Sequence, residues 1–170
     1  IVDGETINYD AAFFASRYGK GEKDSYLNLG LSKTIYVEFC QNLIDAEKVP
    51  LHAFEEAKYF EGCLPIEVLA ARGEKTMAYG PLKPVGLKHP KNGSCFHAVV
   101  QLRRENTSGS AYSMVGFQTK MTYSEQRRVF RNLPGLEQAT FFRYGSIHRN
   151  TYLNAPRLLL PTLQLRKDPR

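Results

Sequence analysis

Apolar and polar positions change their spacing several times along this chain, and each change marks an element. Tyr26 to Leu31 alternates apolar and polar side chains, the two-residue period of a strand. Ser32 then offers a helix cap. Ile35, Phe39 and Leu43 follow as one apolar line, with Tyr36, Cys40 and Ile44 beside it. That spacing predicts a helix from about Lys33 to Glu47, stopped by Pro50. His52 to Lys58 reads as a further helical turn. Pro65 stands where a first helical residue would, Ile66, Leu69 and Ala70 face inward, and Gly73 closes the segment after Arg72. Two prolines and two glycines make 80–86 an ordered loop.

The second half reads as a sheet. Phe96 to Leu102 is a strand, Asn106 to Ser110 its turn, and Tyr112 to Lys120 the returning strand. Thr122-Tyr123-Ser124-Glu125 is a capping box that opens a helix to about Leu133, with Gln126, Val129, Phe130 and Leu133 at helical spacing. Ala139 to Tyr144 is a further strand. Leu158 to Leu165 reads as a last one, which Pro161 makes irregular or an edge. Ile1 to Ile7 adds a short strand at the start. Helices together with hairpin strands predict an α+β fold, a mixed or antiparallel sheet with several short helices. A length of 170 residues suits a single domain over 1–170. The pattern admits a helical subdomain at 32–80 and a sheet-rich one at 95–165.

Composition narrows the setting. A hydrophobic fraction of 42% supports a packed core. No run is long and apolar enough for a membrane span. Cys40, Cys63 and Cys95 form no CxxC pair, so neither a zinc knuckle nor a disulfide framework is supported, and a reducing cytoplasm is the natural compartment. No metal site is expected. The abrupt start at Ile1 and equally abrupt close predict a piece of a longer protein. Residues 1–85 carry 9 basic and 13 acidic side chains, whereas 86–170 carry 14 basic and 4 acidic. The basic half suits a phosphate backbone or an anionic cofactor, though solubility alone also accounts for it.

Three groups of residues carry candidate chemistry. Cys63 lies two residues before Pro65, at the predicted start of a helix, where unpaired N–H groups favour a thiolate. Gly62 gives access to it, and Glu61 and Glu67 oppose its ionisation. A reactive thiol and a buried structural one are both consistent with that placement. Arg143, Tyr144, His148, Arg149 and Asn150 gather donors able to grip a phosphate or a planar ring, or simply to cap sheet edges. His148 has no ligand partner at metal spacing. Arg103, Arg104, Lys120, Arg127, Arg128 and Arg131 can track a nucleic-acid backbone or form a solvated face.

Five phrases carry a resemblance across nearly the whole chain. They are Tyr59-Phe60-Glu61-Gly62-Cys63-Leu64-Pro65-Ile66-Glu67, Gly80-Pro81-Leu82-Lys83-Pro84-Val85-Gly86-Leu87, Ala98-Val99-Val100-Gln101-Leu102-Arg103, Val115-Gly116-Phe117-Gln118-Thr119, and Arg143-Tyr144-Gly145-Ser146-Ile147-His148-Arg149-Asn150-Thr151. In order and spacing they resemble the bacterial folate- and FAD-dependent tRNA uracil-5-methyltransferases, relatives of the glucose-inhibited division protein A group. The resemblance implies that the chain is the insertion domain of a Rossmann-type flavoprotein, inactive when isolated, with FAD held mainly by a domain of the same polypeptide that lies outside this chain. It implies transfer of a one-carbon unit from methylenetetrahydrofolate, by way of reduced FAD, to carbon 5 of the T-loop uridine of tRNA, with NADPH or NADH as reductant. Cys63 maps onto the family's nucleophile for carbon 6 of the uracil. Arg143, Tyr144, His148, Arg149 and Asn150 would lie against flavin or folate, and the six basic residues against RNA. A close branch acts on ribosomal RNA, and an RNA-binding module without covalent chemistry is the alternative from another class.

Overall fold

Leu27, Leu29 and Leu31, every second residue of β3 (Tyr26–Leu31), bury one face of an antiparallel sheet. The computed structural model describes residues 1–19, 26–50, 63–147 and 153–168 of the chain. Beside β3 stand β2 (Ala12–Phe14) on one side and β4 (Ala98–Arg104), β5 (Ala111–Met114) and β1 (Val2–Asp3) on the other, in the order β1-β5-β4-β3-β2. The helices among the described residues are α1 (Lys33–Asp45), α2 (Ile66–Ala71), α3 (Lys75–Tyr79), α4 (Tyr123–Phe130) and α5 (Ala155–Leu158). The fold is α+β, as expected, with every strand pair antiparallel.

Helix α1 forms where the apolar stripe predicts it. Ser32 Oγ accepts from the Ile35 N–H at 3.3 Å, and Tyr36, Phe39, Cys40 and Leu43 are buried. These side chains join one cluster with Leu27 to Leu31, Val100, Leu102, Tyr112 and the α4 residues Val129 and Phe130. Among the described residues no helix is long and apolar enough to cross a membrane.

The other face of β3 is buried too, and there it is polar. Asn28 Nδ2 donates to the carbonyls of Phe13, Ala15 and Tyr26 at 3.2, 2.9 and 3.0 Å, while its Oδ1 accepts from Gln101 Nε2 at 2.9 Å. This amide ties β2 and β4 to β3. Asn28→Leu strips partners from a buried amide and several carbonyls, and we expect a loss of roughly 1–3 kcal/mol. Chemical denaturation measures it, and an unchanged midpoint would show that the amide pair is dispensable.

Several elements depart from the sequence expectation. Strand β5 ends at Met114, not Lys120, because Gly116 takes a φ of +80° and turns the chain away. The stretch after it pairs with the start of α2 instead. The opening strand is two residues long, since the Asp3 side chain accepts from the Glu5 N–H and starts a 3-10 turn over Gly4–Thr6. The strand expected at 139–144 reduces to one bridge between Val2 and Phe141. No strand runs over 158–165. Leu159 bridges Leu165 around a turn in which Pro161 lacks an N–H and Leu163 has a φ of +66°. Pro65 caps α2 rather than joining it, and α4 ends at Phe130 with a turn running on to Leu133.

The capping box is half formed. Thr122 Oγ1 accepts from the Glu125 N–H at 3.4 Å, but the Thr122 N–H goes to the Glu47 carbonyl at 3.0 Å and Glu125 turns to Arg128. Helix α3 has no side-chain cap, and its support comes from afar. The buried Tyr36 phenol donates to the Glu74 carbonyl and accepts from the Ala78 N–H at 3.2 Å. Burial, with Cys40 alongside, pushes that phenol well above its usual range. The helical turn expected at 52–58 lies outside the described residues.

Candidate functional site

Cys63 is half-buried, while Leu64, Pro65, Ile66 and Glu67 immediately after it are buried. Two hydrogen bonds pin this segment to the chain beyond β5. The Ile66 N–H donates to the Gln118 carbonyl at 2.7 Å, and Glu67 Oε1 accepts from the Lys120 N–H at 2.7 Å. Cys63 therefore sits where an anchored backbone meets solvent. The N–H groups expected to favour its thiolate are committed elsewhere: Ile66 to Gln118, and Val68 and Leu69 to the Pro65 carbonyl. With α2 only six residues long, a helix dipole adds little. Glu67, expected to oppose ionisation of Cys63, is 4% exposed, and its Oε2 has no hydrogen-bond partner among the described residues.

Phe117, just before the 118–120 stretch, borders a second region. A cavity of about 460 Å³ opens between the ends of β4 and β5, helix α4 and the 141–146 loop. Arg103 and Arg143 line it together with Tyr144, Gln126 and Glu105. Arg103 meets Glu105 at 3.6 Å, an exposed pair of little energetic weight. A hydrogen bond from Ser113, and then Arg103, hold the Glu105 carboxyl below its ordinary range. Tyr144 lies between two rings: Tyr123 at 5.0 Å and 17°, and Phe141 at 5.6 Å and 27°. Tyr123 is 67% exposed, so the stack ends on an open ring face. The loop itself is held by Gln126, whose side chain pairs with the backbone of Gly145.

The two halves of the expected cofactor group are treated differently. Arg143 and Tyr144 are at the cavity, whereas His148, Arg149 and Asn150 lie outside the described residues. The six expected nucleic-acid residues do not share one face. Arg103 reaches the cavity, and Arg104, its neighbour in β4, lies across the sheet with its guanidinium 5.0 Å from the Phe14 ring centroid. Lys120 lines a separate 390 Å³ cavity with Lys48, Glu67 and Val68. Arg128 donates to both Glu125 carboxyl oxygens, at 2.9 and 2.6 Å, and to Asn42 Oδ1 at 2.9 Å, tying α4 to α1. Arg131 places two donors on the Ala139 carbonyl, at 3.0 and 2.8 Å. Arg127 is exposed on α4.

Sequence reasoning missed Glu67, Tyr123 and Gln126. Gln126 left a trace, since it is the polar member of the stripe that includes Val129, Phe130 and Leu133. A polar side chain on a buried stripe needs partners. Nothing in the spacing marks Tyr123, whose ring partner lies far along the chain.

Comparison with known proteins covers the whole chain. The model of the family described as "Glucose inhibited division protein A" matches residues 1–170. A methylenetetrahydrofolate–tRNA-(uracil-5-)-methyltransferase TrmFO of Geobacter sulfurreducens is 55% identical over 170 residues, which cover 100% of this chain and 39% of that protein. A protein of the same name from Anaeromyxobacter dehalogenans is 56% identical, covering 99% of this chain and 38% of its own length. The chain thus spans under two-fifths of the length of these curated relatives. The solved structure of Aquifex aeolicus GidA in its form II crystal shares 16% identity at a TM-score of 0.45, over 98% of this chain and 25% of that one.

Proposed function

Because the chain belongs to the glucose inhibited division protein A family, we propose that it is the substrate-side insertion domain of a cytoplasmic enzyme that methylates carbon 5 of the T-loop uridine of tRNA. The one-carbon unit comes from methylenetetrahydrofolate by way of reduced FAD, and NADPH or NADH restores the reduced flavin. The observation that carries this reading is the identity of 55% over 170 residues, the whole of this chain, to a protein named as a methylenetetrahydrofolate–tRNA-(uracil-5-)-methyltransferase. A reducing cytoplasm suits a protein with the free thiols Cys40, Cys63 and Cys95.

The residues at the 460 Å³ cavity fit a planar heteroaromatic group with polar edges. Tyr144 supplies its phenol edge, Arg103 and Arg143 supply cations, and Glu105 supplies an acceptor. In this reading Arg143 and Tyr144 hold flavin or folate from this domain's side, while most of the FAD contacts belong to the rest of the polypeptide. When bound and reduced, FAD would supply the carrier of the one-carbon unit and the two electrons that take it from the methylene to the methyl level.

Cys63 performs the step that uracil cannot manage alone. Carbon 5 is a poor nucleophile until a thiolate adds next door. The Cys63 Sγ pair forms a bond to carbon 6, and the π pair of the 5,6 double bond shifts toward carbon 5. After carbon 5 has gained its one-carbon substituent, its proton leaves, the double bond re-forms and Sγ departs. The target base must be turned out of its stack to reach the sulfur. Incubating the full-length enzyme with a T-arm RNA carrying 5-fluorouridine tests this, because fluorine cannot leave as a cation. The expected result is a covalent adduct that peptide mapping places on Cys63. An adduct on another residue would overturn the assignment, and preferential trapping by a ribosomal RNA fragment would move the substrate to that branch.

A further inference from the structure

Gln126 is fully buried in α4, and its side-chain amide behaves like a strand partner for one residue of the loop opposite. Its Oε1 accepts from the Gly145 N–H at 2.7 Å, and its Nε2 donates to the Gly145 carbonyl at 3.0 Å. The second Nε2 hydrogen goes to the Met121 carbonyl at 2.9 Å, so both donors and the acceptor are used. Gly145 fits this pairing closely: a Cβ there would meet the Phe117 carbonyl oxygen at 3.1 Å, Thr119 Cγ2 at 3.2 Å and Gln126 Oε1 at 3.4 Å. The loop backbone is thus clamped between α4 and the 117–119 segment. Arg143 and Tyr144, two residues and one residue before the clamp, face the 460 Å³ cavity that Gln126 also lines.

We infer that Gln126 is a positioning residue for the cavity: by pairing with both backbone groups of Gly145, it sets the direction in which Arg143 and Tyr144 meet a planar, polar-edged cofactor ring. This rests on the cofactor reading of the cavity given above. Gln126 does not touch the reacting atoms. It acts through the loop, so its loss should appear in cofactor affinity rather than in the chemical step or in RNA binding.

Two variants of the full-length enzyme test it. Gln126→Met keeps the length and removes all three bonds. Gln126→Glu keeps the acceptor for Gly145 N–H but, when ionised, faces the Gly145 and Met121 carbonyls without a donor. Its protonated form regains one donor. Burial and the two carbonyls favour that neutral form, so its pKa rises above the ordinary value of about 4.3. Among the described residues, the charged groups lining the same cavity are the Ile1 ammonium, Arg103, Arg143 and Glu105, and the substitution leaves them in place.

For Gln126→Met, FAD dissociation followed by flavin fluorescence, or the KM for methylenetetrahydrofolate, is expected to rise about tenfold, with kcat and the KM for tRNA within about twofold. The ligand that responds identifies the occupant. Gln126→Glu should approach wild-type affinity in mild acid and lose it as pH rises, a profile absent from the wild type. Unchanged cofactor affinity in both variants, or a rise confined to the KM for tRNA, would overturn the inference. If the wild type itself fails to trap 5-fluorouridine RNA at Cys63, the functional reading has failed instead, and the two failures are told apart.

Discussion

Full-length enzyme carrying Cys63→Ala is expected to transfer methyl groups at least about 1,000-fold more slowly than wild type, the scale seen when an enzyme loses its nucleophile. The reason is electronic: with no pair donated to carbon 6, carbon 5 of the uracil lacks the density to attack. The structure separates this loss from a loss of folding. Leu64, Ile66 and Glu67, which hold the segment in place, are buried, while Cys63 itself remains half-exposed. Removing its sulfur should shift stability by less than about 1 kcal/mol. The other cysteines serve as controls. Cys95 is exposed, and Cys95→Ala should leave both rate and stability unchanged. Cys40 packs in the core against α1's neighbours, where burial pushes its thiol up, so its replacement should lower stability with no effect on the trapped adduct. Single-turnover methyl transfer and tRNA affinity, measured side by side, decide the matter. Retained transfer in Cys63→Ala would remove the nucleophile from this chain, whereas lost RNA affinity with no trapped adduct in the wild type would favour a binding module.

Local signals account for the elements that were legible. Helix α1 has a cap at Ser32 and a stripe from Tyr36 to Leu43, and both act within the segment. Strand β3 alternates and was found where its pattern places it. The failures share a different cause. Helix α3 depends on the phenol of Tyr36, and residues 118–120, past the turn at Gly116 that ends β5, find their partners in α2. Neither contact has a signature in its own stretch of sequence. The same distinction runs through the site. Residue types marked Arg143 and Tyr144, since the chemistry of guanidinium and phenol is visible in any context, and both line the 460 Å³ cavity. Which arginines are engaged is not visible, and Arg128 and Arg131 spend their donors on Glu125, Asn42 and Ala139. Charge counting placed them with Arg103, which meets the cavity instead.

Glu67→Ala should be the most damaging substitution that leaves Cys63 itself in place. The carboxyl of Glu67 links α2 to the Lys120 backbone, and the Ile66 N–H bond to Gln118 is the parallel link one residue earlier. Together they make residues 63–67 and 118–120 one unit. Truncation at Glu67 leaves a part-buried N–H without its acceptor and opens space beneath the segment, at an expected cost of about 2 kcal/mol or more. The segment bearing the sulfur can then shift relative to the cavity wall, and a displacement of about 1 Å is enough to slow a positioned reaction by about 100-fold. Glu67→Gln provides the discriminating comparison. It retains an acceptor for the Lys120 N–H and removes an ionisable group from the interior, so stability should stay within about 1 kcal/mol of wild type. Methyl transfer in that variant should remain near wild type. Denaturation midpoints and single-turnover rates for the pair give the answer. Equal damage in both variants would mean that the ionisable group, with its unpartnered oxygen, matters more than the link to Lys120, and the anchoring account of Cys63 would have to be replaced by a chemical role for that carboxyl.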